Sequence, residues 1–150
     1  MESLHPVTVH FPIALIFSVL LIETMALAWN RPHWHRISLW NLLLGALGAV
    51  AAVVTGRQAM TAAKHSPEIH RVMNLHERLG YFVLVSVLSV ALFRILLKDR
   101  LNIRQRWVAW GLLFVTCSVL AFSAHLGGRL VYEFGVGGRY GRGTGIEVVR

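Results

Sequence analysis

The chain is poor in charge, in acid above all, and in cysteine. Only 15% of its 150 residues are charged, and Asp and Glu together number 7. A soluble domain of this length needs more polar surface than that. Cys117 is the single cysteine. One cysteine excludes an internal disulfide and excludes the Cys-x-x-Cys-His attachment of c-type haem. Its place inside an apolar run makes it a small packing residue. Also missing are a Ser/His/Asp constellation, paired carboxylates and a glycine-rich nucleotide loop, which argues against a hydrolase or an NTPase. The tail rich in glycine, about residues 135–150, has no core-forming pattern and reads as an extended surface segment.

What is present is hydrophobic. Apolar residues make up 55% of the chain. They gather in four runs at residues 7–29, 37–56, 79–97 and 107–126. Crossing the hydrocarbon core takes about 20 helical residues. The runs lack the alternation of barrel strands, and lipid leaves helices as the other way to pair the backbone. The expected fold is all-α, an integral membrane four-helix bundle forming one membrane domain over residues 1–150. The first run has no positive leader and no small-residue cleavage site, so it reads as a retained helix rather than a signal peptide.

Four crossings put both ends on one side. That face then receives His5, His10, His65, His70, His76 and His125, while all five tryptophans, 29, 34, 40, 107 and 110, go to the other. Tryptophan belongs at the membrane–water interface. The net charge of +8 does not point to nucleic acid. Its arginines flank apolar runs, where they snorkel or meet anionic lipid. On the tryptophan side Lys and Arg crowd into two short turns. That density makes this side cytoplasmic and the histidine side, with both termini, periplasmic in a bacterial inner membrane.

His10, His76 and His125 lie at similar depth on three helices. Membrane histidines need partners, so a site is the default reading; the plain alternative is a histidine bonded to a carbonyl or a headgroup. One helical turn inward from each stands a small residue: Ala14, Gly80 and Ala121. Shaved patches suit a large flat ligand better than a bare metal ion, although small residues also serve close helix packing. The reading is haem b, with axial ligands drawn from His10, His76 and His125. His5 is a further candidate, and its use would allow two haems. Arg57 and Arg129, with Arg78, are placed to receive propionates. A wire of two haems would need histidines roughly thirteen residues, about 20 Å, apart on one helix. No run has them, and His33 and His35 read as surface residues in a turn. Electron transfer would therefore use one face, with a cytochrome c, quinone or other partner. Two other readings stay open. One is a metal site without porphyrin, for zinc, copper or nickel. The other is an anchor subunit of a larger membrane complex or homo-oligomer. Glu23 and Arg94, at matching depth, are expected to form a structural ion pair.

The stretches HPVTVHFPIAL, TGRQA, NLHERLG and AHLGGRLVYEFGVG resemble the bacterial membrane family called domain of unknown function 2231. The resemblance spans nearly the whole chain. It implies four membrane helices and an association, in some members, with cytochrome c modules. Its motif positions are His5, Pro6, His10, Pro12, His76, His125, Gly127, Gly128 and Tyr132.

Overall fold

The computed structural model describes residues 4–61, 66–98 and 100–136. His65 and the tail beyond residue 136 lie outside the described residues. Among the described residues there are five helices: α1 His5–Thr8, α2 His10–Ala28, α3 Pro32–Thr61, α4 Pro67–Leu96 and α5 Ile103–Tyr132. The first two form one span. Pro6 starts it, at a position where the missing N–H costs nothing. Pro12 has no N–H to give the carbonyl of Thr8, and the helix breaks at Val9 between them. Four spans, at 5–28, 33–61, 67–96 and 103–132, are long and apolar enough to cross a membrane.

The helices outrun the apolar runs. α3, α4 and α5 each have 30 residues, about 45 Å of helix, which matches a bilayer with its headgroups. Hydropathy registers the hydrocarbon centre and misses the polar ends. Residues 32–36, read as part of a turn, thus belong to α3. Ser66 caps α4 by accepting from Ile69 N–H, and Asn102 and Gln105 cap α5 reciprocally. Asn30 and Lys98 take left-handed backbone, φ 49° in both, where the chain turns after α2 and α4.

Neighbours along the chain pack side by side, and α5 returns to α2, closing an up-and-down ring of four spans. Ile16, Val19, Leu42, Val87, Leu113 and Cys117 fill its centre. Gly45 and Gly48 bring α3 against α2; a Cβ on Gly48 would lie 3.0 Å from Pro12. Outward positions such as Leu21, Leu47 and Val85 are exposed, as a lipid-facing surface requires.

One polar cluster sits in the tryptophan half. Arg94 Nη1 donates to Glu23 Oε1 at 2.7 Å and to Ser38 Oγ at 3.0 Å, and Arg94 Nη2 donates to the His35 carbonyl at 2.6 Å. His35 Nδ1 meets Glu23 Oε2 at 2.7 Å. The buried ion pair joins α2 to α4. His35, expected at the surface, is buried with 6% exposure; α3 begins early enough to carry it inside, beneath Glu23. His33 is exposed.

Candidate functional site

The other half of the bundle holds a pair of histidines. His5, in the first turn of α1, reaches α3, where its Nδ1 lies 3.2 Å from Thr55 Oγ1. His76, on α4, reaches α5, where its Nδ1 lies 2.9 Å from the Ser123 carbonyl and 3.1 Å from the Ser123 hydroxyl. The two rings are 6.2 Å apart between centroids and inclined at 78°. So four helices contribute to one contact, two with imidazoles and two with the groups that hold them.

The Ser123 carbonyl decides one tautomer. A carbonyl only accepts, so His76 must carry its proton on Nδ1. The Thr55 hydroxyl points its own proton at the carbonyls of Ala51 and Ala52, 2.9 and 3.1 Å away. Its oxygen can accept from His5 Nδ1–H, and the Ala52 backbone is a further partner of His5. In neutral His76 the unprotonated nitrogen is therefore Nε2. Histidines that bind a metal donate their other N–H to a carbonyl or similar group in this way.

Two glycines make the rings fit. A Cβ on Gly56 would lie 3.0 Å from His5 Cε1, and one on Gly127 would lie 3.2 Å from His76 Cε1. Beside the pair opens a cavity of about 340 Å³, within the size range of small-ligand sites. Its wall is mainly aliphatic, with Ile16, Met73, Val83 and Leu120 deep inside and Arg57 and Glu77 among its polar residues.

The sequence-derived candidates divide. His5, His10, Arg57, His76 and Gly80 line the cavity; Ala14, Ala121, His125 and Arg129 do not. The anticipated layer of His10, His76 and His125 is not assembled. His10 is exposed and its Nδ1 bonds the Pro6 carbonyl at 2.6 Å. His125 is exposed, as are Ala14 and Ala121. Arg129 donates instead to Glu133 at 2.8 Å and lies over the Phe134 ring. Of the three shaved patches only Gly80 faces the cavity, and a Cβ there would meet nothing within 4 Å. The histidine of the first span that meets His76 is His5. His10, on the far side of the break at Val9, also lines the cavity but is exposed. Thr55, Gly56, Ser123 and Gly127 complete the site. They were not read as site residues because their roles depend on which helix faces which.

The family model for predicted membrane proteins named DUF2231 matches residues 1–139. The chain belongs to the DUF2231 family. That membership accords with the four spans and with a place in the membrane. No curated protein and no solved structure matches the chain. For this DUF2231 protein, then, the case for a function rests on the site itself.

Proposed function

We propose that the protein is a membrane cytochrome of b type, in which His5 and His76 would together hold one non-covalent haem. One observation carries the reading: two imidazoles from separate spans, 6.2 Å apart, each with Nδ1 at a polar partner on a neighbouring helix. A metal–imidazole bond is about 2.0–2.1 Å long, so two imidazoles this close could both reach one iron. Haem supplies a one-electron iron couple whose potential the protein tunes through its axial ligands, their hydrogen bonds and burial.

The chain's own residues fit this use. Thr55 and Ser123 orient the ligands. Gly80 leaves its part of the wall open, and the aliphatic lining excludes water. Arg57, exposed and on the cavity wall, is the cation placed to hold a propionate. A tetrahedral metal site needs three or four protein ligands. Among the described residues, no three His, Cys, Asp or Glu side chains group to hold an ion. That favours a ligand that brings its own equatorial nitrogens.

The pair lies towards one membrane face. Among the described residues of the other half, His33 is exposed and His35 is engaged by Glu23. Electrons would enter and leave on the histidine side, through a cytochrome c, a quinone or another subunit. The crowding of Lys and Arg into the tryptophan-side turns supports a cytoplasmic place for that side, in a bacterial inner membrane. Purified protein from haem-sufficient cells is expected to show a Soret band and sharp α and β bands on reduction. Protein that is colourless and stays so after haem addition would sink the proposal, and stoichiometric zinc or copper without porphyrin would replace it.

A further inference from the structure

The glycines of the spans sort by what a Cβ on them would meet. On α3, one at Gly45 or Gly48 would meet Ile16, Leu15, Pro12 or Phe11 of α2. That is the ordinary use of glycine in membrane helices, close packing of helix on helix. On α4 and α5, one at Gly80, Gly111 or Gly128 would meet nothing within 4 Å. Gly56 and Gly127 belong to neither group. The three atoms nearest a Cβ at Gly56 are Cε1, Nδ1 and Nε2 of His5, at 3.0, 3.3 and 3.5 Å. At Gly127 they are Cε1, Nδ1 and Nε2 of His76, at 3.2, 3.7 and 3.7 Å.

The backbone gives no reason for glycine at either place. Both lie inside 30-residue helices, and neither takes the positive φ that Gly135 shows at 65°. In a helix interior alanine is the better residue. Here alanine would bring a methyl group against the edge of an imidazole. Carbon atoms rest about 3.5–4.0 Å apart, so the ring would have to give by a few tenths of an ångström.

The two rings are seated alike by different helices. His5 leaves α1 and rests on α3, with Thr55 at its Nδ1 and Gly56 beside its Cε1 edge. His76 leaves α4 and rests on α5, with Ser123 at its Nδ1 and Gly127, one turn on, beside its Cε1 edge. Holder and glycine share a helix in each case. A ring pushed off its glycine is therefore drawn away from its holder as well.

We infer that Gly56 and Gly127 are positioning residues of the histidine pair: each takes the edge of one imidazole, and together they keep both rings within reach of a single iron. The iron comes from the haem proposal, on which this part rests; the seating of the rings does not depend on it.

Two measurements on the full chain in detergent test this: the ring signals of His5 and His76 in isotope-labelled, haem-free protein, and haem titration of the same samples. Gly56→Ala should move the His5 ring signals more than those of His76, and Gly127→Ala the reverse. Both should bind haem about tenfold more weakly or worse, as when groups that orient a ligand are disturbed. Gly111→Ala, on α5 with open space and outside the cavity, should leave the ring signals in place and the affinity within about twofold. Thermal unfolding covers a variant that folds poorly. Gly127→Ala should lower the unfolding temperature of wild type but not that of His76→Ala, where the ring is gone and the helix preference of alanine remains. Ring signals that stay put, or equal destabilisation with and without the His76 ring, overturn the seats. Ring signals that move while haem affinity holds overturn the positioning role. If wild type takes up no haem, the haem proposal falls, while a moved ring still upholds its seat and an unmoved one still overturns it.

Discussion

At the scale of single residues, the roles of the histidines follow from phase and partner rather than from number. His5 and His10 share a motif, yet only His5 meets His76, while His10 is exposed with its Nδ1 on the Pro6 carbonyl. Sequence alone showed that the first span carries a ligand-type residue; it did not show which, since Val9 and Pro12 set the local phase. The partners of the pair differ in a testable way. Thr55 holds His5 through a side-chain oxygen, whereas Ser123 holds His76 chiefly through its carbonyl. Thr55→Val should therefore weaken haem affinity by about ten- to a hundredfold, as lost outer hydrogen bonds commonly do. Ser123→Ala keeps the carbonyl and should weaken it far less. Haem titration of the two apo-variants makes the comparison, and equal effects would show that neither contact orients a ligand. Gly80→Leu probes the cavity. A Cβ at Gly80 has open space around it, so the larger side chain should be accepted, insert normally and fill the pocket. Haem content per inserted protein should fall sharply, while His33→Ala should leave it unchanged. Full haem in Gly80→Leu would place the macrocycle elsewhere.

At the scale of helices, the spans were legible because their cause is simple: about 20 apolar residues are what a bilayer demands. Their ends were not. Residues 32–36 are polar enough to read as a turn, but they begin α3, which also runs on past the apolar segment to Thr61. The Glu23–Arg94 pair was legible from depth alone. His35 was not, because its contact with Glu23 depends on how tightly the chain reverses between α2 and α3. This cluster is the polar tie of the tryptophan half, linking α2, α3 and α4. Removing one charge should cost more than removing both. Arg94→Leu leaves a carboxylate buried without its cation, a loss of roughly 3–5 kcal/mol. The double variant Glu23→Leu with Arg94→Leu should recover part of that. Thermal unfolding in detergent reads both. A double variant less stable than Arg94→Leu would mean that the pair is not a simple charge balance.

The whole molecule is polarised across the membrane. One half gathers the histidine pair and its apolar cavity; the other gathers tryptophan, basic turns and the buried ion pair. Both ends of the ring of spans lie on the histidine side, so a reporter joined after residue 136 samples the face of the histidine pair. Alkaline phosphatase placed there should be active, and an inactive fusion with a fluorescent cytoplasmic counterpart would invert the orientation. The histidine pair itself is a joint effort of α1, α3, α4 and α5, which is why no stretch of sequence displays it whole. Its central claim is that His5 and His76 bind one iron. Low-temperature electron paramagnetic resonance of oxidised, haem-loaded protein addresses that directly. Wild type should give a low-spin ferric signal of two-imidazole type. His5→Ala and His76→Ala should each lose it to a high-spin signal or lose the haem, while His125→Ala keeps it. A low-spin signal that survives both His5→Ala and His76→Ala, or that vanishes in His125→Ala, would contradict the claim.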